Sequence, residues 1–471
     1  MNKNAAKFIK NFTYTLTSSL VSLFISTLAI LIVPRLIGVE EYGYWQLYLF
    51  YSSYAGFLLF GWNDGIYLRY GGKWYRQLNK RLFFTQFNMV VFLQLVFLVV
   101  LFWISLMLTD KNSANIFQMV AISLFITNIR GILLSTMQAT NRIKDYAQIT
   151  MLDRILYASL ISILLIINIR EYKYLIVTDL IGKFISLLYA MYCCRDIVCH
   201  KFTTCYFSFK EAIENINVGI KLMFANIASM LIIGVVRFEI ERSWDVATFG
   251  KVSLTLSISN LMMIFINAVG IIIFPILKRT DEKKLPDIYE TIRNLLMVIL
   301  LGILIVYYPL KVVLSAWLPN YADSLMYLAL LFPMCVYEGK MALLISTYLK
   351  ALRQEKLMLK INIASLILSV VISFISSIIF KNLNLAVISI VILLAFRCVL
   401  AEVFLSKILE ISIHKDIILE LMMTVVFILT GWYLTSLATV GGYAIAYGMY
   451  LLIKRKDITS AYKTVKLLVR A

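Results

Sequence analysis

Residues 82–108 read LFFTQFNMVVFLQLVFLVVLFWISLML, 27 positions without a charged side chain, with Lys80 and Arg81 before them and Asp110 and Lys111 after. A helix rises about 1.5 Å per residue and the hydrocarbon core of a bilayer is about 30 Å thick, so about 20 such residues cross it. The rest of the chain is of the same kind: 61% of the 471 residues are hydrophobic, only 15% are charged, and mean hydropathy is +0.85. Soluble globules carry about 25% charged residues, and a chain this apolar would expose large greasy patches to water. Lipid removes that cost by solvating the outside. The net charge of +19 does not point to nucleic acid. Its Lys and Arg are not gathered on one soluble face but fall in short clusters between apolar runs, which is a membrane-topology pattern.

The same criterion predicts an all-α integral membrane protein of about fourteen spanning helices. They fall at 12–33, 44–66, 82–108, 116–138, 151–168, 174–194, 216–236, 250–274, 294–315, 322–346, 361–380, 384–405, 417–437 and 441–453. The run 12–33, preceded by Lys3, Lys7 and Lys10, is too long for a signal-peptide core and reads as the first span. Clusters such as Lys73, Arg76, Lys80 and Arg81 alternate with loops such as Thr109 to Asn115 and Ala438 to Gly442 that are nearly free of positive charge. By the positive-inside rule both termini are expected in the cytoplasm.

Two halves are legible. Glu41-Tyr42-Gly43-Tyr44 is matched in pattern by Thr248-Phe249-Gly250-Lys251, and Ala139-Thr140-Asn141-Arg142 by Ala351-Leu352-Arg353-Gln354, at nearly the same offset. Six helices per half make the repeats parallel, related by a pseudo-two-fold axis along the membrane normal, with the substrate path expected between them. The expected division is 1–208, 209–406, and 407–471 for the last two helices and a basic cytoplasmic tail.

Three segments carry a family resemblance: Pro34-Arg35-Leu36-Ile37-Gly38-Val39-Glu40-Glu41-Tyr42-Gly43, Phe274-Pro275-Ile276-Leu277-Lys278-Arg279, and Trp317-Leu318-Pro319-Asn320-Tyr321-Ala322. In their order and spacing the chain resembles the Wzx-type flippases of the polysaccharide-transport branch of the multidrug/oligosaccharidyl-lipid/polysaccharide (MOP) superfamily. The resemblance implies two six-helix lobes working by alternating access in the bacterial inner membrane. It also implies a substrate, undecaprenyl-diphosphate-linked O-antigen or capsule repeat units, carried to the outer leaflet among membrane lipid. A polysaccharide polymerase and a chain-length regulator are the partners it brings. No cofactor is expected.

Carrying a diphosphate through hydrocarbon asks for cationic side chains facing a cavity, and aromatic rings suit sugar faces. Arg130, Lys183, Lys340 and Arg397 lie inside expected helices, where a charge costs about 2.5–3.5 kcal/mol on insertion scales. Arg130 has no acidic residue within a helical turn, so it leads as a cavity-lining residue; Glu402 and Glu338 lie near Lys340 and Arg397 and offer pairing instead. Asp179 and Lys183, four apart, share a helix face and are expected to pair, as are Arg237 and Glu241. Arg35 and Asp64 read as interfacial anchors or cavity residues, and Glu338 as an ion-coupling candidate. Tyr44, Tyr48, Tyr51 and Tyr54 form one stripe, with Tyr48 and Tyr51 the sugar-contact candidates, although interface and helix packing use aromatics in the same way.

Nothing resembles a catalytic set: there is no Gly-rich phosphate loop, and His200 and His414 are the only histidines. Cys193, Cys194, Cys199 and Cys205 beside His200 lack CxxC spacing and read as cytoplasmic thiols rather than a metal site. The chain is therefore expected not to be an enzyme. A multidrug antiporter of the same superfamily would want an acidic cavity, whereas the intramembrane charges lean positive. A membrane glycosyltransferase or polymerase would want a sizeable extramembrane loop.

Overall fold

The computed structural model describes residues 20–21, 23–199, 208–279, 285–433 and 438–470, and among these every regular element is helical. In chain order the helices are α1 (Leu23–Leu36), α2 (Val39–Ser52), α3 (Trp62–Tyr70), α4 (Lys80–Leu106), α5 (Lys111–Ala139), α6 (Ile143–Ile166) and α7 (Tyr172–Cys193). They continue with α8 (Phe209–Ser243), α9 (Val246–Arg279), α10 (Leu285–Trp317), α11 (Ser324–Ala351), α12 (Glu355–Ile379), α13 (Leu383–Leu409), α14 (His414–Tyr433), α15 (Ala438–Ile453) and α16 (Arg455–Arg470). The chain forms two compact units, one up to Ile227 and one from Ala228 onward.

Among the described residues ten helices are long and apolar enough to cross a bilayer. In the most apolar stretch of α4 and of α6 only 22% of residues are buried, against 89% in α11. Helices that are this apolar and still face outward require lipid as their solvent. The first half of the expected span 12–33 lies outside the described residues, as do residues 434–437 of the expected span 417–437. The expected basic tail forms the helix α16.

The expected span 44–66 is not one helix. It breaks after Ser52 into a 3-10 turn at Ala55–Leu59, passes through left-handed Phe60 (φ 51°) and Gly61 (φ 79°), and resumes as α3. A break in lipid is tolerated only where the freed backbone groups find partners. Here Asn128 Nδ2 donates to Ala55 O (3.0 Å), Gln94 Nε2 donates to Leu58 O (3.0 Å), and Asn128 also bonds Gln94 (2.9 Å). Beyond the break, Gly61 and Gly65 lie flat against α8, so close that a Cβ on Gly219 would fall 1.9 Å from Gly61 O.

Helix ends follow ordinary capping chemistry. The side chains of Asn79, Asp110 and Asn382 accept from the first-turn amides of α4, α5 and α13. The side-chain and backbone hydrogen bonds from Ser113 hold the Asp110 carboxyl below its usual range. The recurrent motif at Asn141 and Arg353 has a common backbone form. Both residues are left-handed (φ 60° and 56°), and the next amide reaches back to Met137 O (2.8 Å) and Leu349 O (2.7 Å) respectively, the Schellman closure.

Candidate substrate site

In the first unit, α2, α5, α6 and α7 converge on one buried polar chain. Tyr48, fully buried, donates its hydroxyl to Asp179 Oδ2 (2.6 Å). Lys183 Nζ lies 2.6 Å from the same oxygen and donates to Ser123 Oγ (2.9 Å) and Tyr48 OH (3.3 Å). One turn on, Ser186 donates to Lys183 O (2.9 Å) and accepts from Arg130 Nη1, which also donates to Asp153 Oδ2 (2.8 Å). Arg130 Nε is buried without a hydrogen-bond partner. The cluster holds two cations and two carboxylates and is locally neutral.

Arg130 is therefore not a lone charge. Its partner stands on α6, the neighbouring helix, and α7 comes close enough that a Cβ on Gly182 would meet Asp153 O at 3.1 Å. The expected Asp179–Lys183 pair is present. The tyrosine stripe serves helix packing at several points: Tyr44 packs on Tyr172 (ring centroids 4.9 Å apart) and Tyr51 on Phe117 (5.0 Å), while Tyr54 packs on Phe50 (5.3 Å). Arg35 is exposed, and Asp64, in the first turn of α3, is half-buried; neither belongs to the polar chain.

In the second unit the charges gather on α10, α11, α13 and α14. Lys340 Nζ reaches both Glu402 and Glu420 (2.6 Å to the latter), immediately before a π-helical turn at Met341–Ile345. Arg293, 1% exposed, donates Nε to Glu402 Oε1 (2.7 Å) and Nη1 to Asp416 Oδ2 (3.0 Å), and its Nη2 lies 2.7 Å from Glu420 Oε1. Lys454, between α15 and α16, closes the set on Asp416 (2.7 Å), and Tyr289 donates to Glu402 (3.1 Å). Arg397 stands apart, donating to Asn362 Oδ1 (2.9 Å) and to Glu338 Oε1 (3.2 Å).

The positive lean expected of the intramembrane charge is thus cancelled by carboxylates brought in from other helices. Arg293 escaped the sequence reading because the expected span began one residue after it, whereas α10 starts at Leu285. Asp416 and Glu420 carried a signal, four apart at the start of an apolar run. Asp153 carried none. Among the described residues no group of three His, Cys, Asp or Glu is placed to hold a metal; His200 and Cys205 lie outside them.

A family model described as "Polysaccharide biosynthesis protein" matches residues 32–315. The chain belongs to the polysaccharide biosynthesis protein family. The family member has the fold of MOP-superfamily transporters. It superposes on the lipid II flippase MurJ in an inward closed conformation with a TM-score of 0.66, covering 96% of this chain and 100% of that one at 12% identity. An inward-facing multidrug resistance MATE transporter gives 0.61 over 82% and 96% of the two chains at 12% identity. A MOP-superfamily transporter from Pyrococcus furiosus gives 0.50 over 85% and 96%, also at 12% identity. At that identity the likeness establishes the fold. No curated protein matches the chain in sequence.

Proposed function

We propose that this protein is a flippase, not an enzyme, that moves undecaprenyl-diphosphate-linked O-antigen or capsule repeat units from the cytoplasmic to the outer leaflet by alternating access. One observation carries the reading: a chain of the polysaccharide biosynthesis family shares its fold with a lipid II flippase over that protein's full length. The proposed setting is the bacterial inner membrane, with both termini in the cytoplasm and a polymerase and a chain-length regulator downstream.

The ion pairs fit the task in a specific way. A permanently unpaired cation inside the bilayer is costly, so each cation is stored against a carboxylate. An arriving diphosphate, with more negative charge than one carboxylate, competes for Arg130, whose buried Nε has no acceptor of its own. Arg397 and Lys183 are proposed to act in the same sense, each stored against one acidic partner. Lys340 is more deeply committed, to two carboxylates, and Glu338 remains the proposed ion-coupling residue.

Deletion of the gene in its native host tests the reading. Loss of surface polymer with complete repeat units trapped on the cytoplasmic leaflet is the expected result. Unchanged polymer with increased drug sensitivity would replace the flippase by an antiporter.

A further inference from the structure

Each unit has a cavity beside one of the two matching Schellman turns. The one at Asn141 has a volume of about 530 Å³ and is lined by Tyr67, Lys73, Trp74, Gln138 and Asn141, among others. The one at Arg353 has about 500 Å³ and is lined chiefly by Leu285, Pro286, Leu352 and Leu409, with Arg353 and Glu410. The backbone device is the same and the volumes agree, so the fold accounts for the hollow but not for its chemistry. Two aromatic rings, two side-chain amides and a lysine around one cavity of a few hundred Å³ make up a carbohydrate-binding set. Rings pack on the apolar face of a sugar, amides both donate to and accept from hydroxyls, and the ammonium suits a phosphate.

The wall carrying Trp74 is held in place. Trp74 N donates to Gln77 Oε1 (3.1 Å) and Gly72 N to Ala139 O (3.0 Å). Next door, Tyr75 donates to Asp196 (2.6 Å) while Lys80 and Arg142 cover its ring at 3.2 and 4.4 Å. The indole of Trp74 is left 59% exposed on this fixed loop, and a surface ordered before binding loses less entropy on capture.

We propose that the cavity beside Trp74 is a docking site for the sugar of the lipid-linked substrate; the inference rests on the flippase reading and adds where the sugar is recognised. The test uses the full chain in nanodiscs and two probes: the lipid-linked repeat unit extracted from host cells lacking this gene, and bare undecaprenyl diphosphate. Wild type is expected to bind the sugar-bearing probe more tightly. Trp74→Ala and Gln138→Leu are each expected to lower that preference roughly three- to tenfold, leaving bare-lipid affinity unchanged, while Trp74→Phe retains most of it. A tryptophan that only anchors the loop in the interface would change abundance and leave the preference intact, and an unchanged preference in both variants overturns the proposal. Equal binding of the two probes by wild type refutes the sugar site and leaves the flippase reading standing, whereas binding of neither removes both. If Trp74→Ala does not accumulate, Gln138→Leu and Trp74→Phe decide.

Discussion

Asp153→Ala isolates what the Arg130–Asp153 pair contributes. Both side chains are only 10% exposed, and the pair is 2.8 Å long. Removing the carboxylate leaves a guanidinium inside the bundle with Ser186 as its remaining acceptor. Breaking a buried pair from one side costs about 3–5 kcal/mol, whereas removing both partners is often close to neutral. At about 1.4 kcal/mol per decade, the single variant should shift the folding equilibrium by two to more than three orders of magnitude. Domain stabilities are of the order of 5–15 kcal/mol, so this loss is large. The assay is abundance and melting temperature of the detergent-purified protein, by fluorescence-detected size exclusion, for Asp153→Ala, Arg130→Ala and the double variant. Both singles should be depleted and the double should recover most of the loss. Surface polysaccharide then separates structure from transport: if Arg130 binds the diphosphate, the recovered double variant still fails to export. A single Asp153→Ala as stable as the double would refute the ion-pair reasoning. Full export by the double would refute the role of Arg130.

Other expectations follow from the same geometry. Gly219→Ala places a Cβ 1.9 Å from Gly61 O and 2.4 Å from Gly65 N; backbone cannot yield that far, so the protein should fail to accumulate, while Gly448→Ala, with open space around it, should be tolerated. Lys340→Met leaves Glu402 and Glu420 with Arg293 alone; abundance should fall sharply, and pairing it with Glu420→Gln should restore part of it, as read on immunoblots of membranes. Arg397→Lys keeps the charge but loses the planar fork that serves Asn362 and Glu338 together, so surface polymer should lie between wild type and Arg397→Ala at equal protein levels.

The sequence by itself determined that this is a helical membrane protein. Runs such as 82–108 are too apolar for water and long enough for a bilayer, and that argument uses only length and hydrophobicity. It also showed the turn shared by Asn141 and Arg353, because a left-handed helix end is a local event fixed by a few residues. The pair Asp179–Lys183 was legible for the same reason: i and i+4 are neighbours on any helix. The partners of Arg130, Lys340 and Arg293 were not. Asp153, Glu402 and Glu420 come from helices 23, 62 and 127 positions away along the chain, and which faces of those helices meet is decided by packing. The break at Phe60–Gly61 belongs with them. Its glycine could be seen in the sequence, but the flat approach of Gly219, and the side chains of Asn128 and Gln94 that satisfy the freed carbonyls, exist only once the helices have assembled.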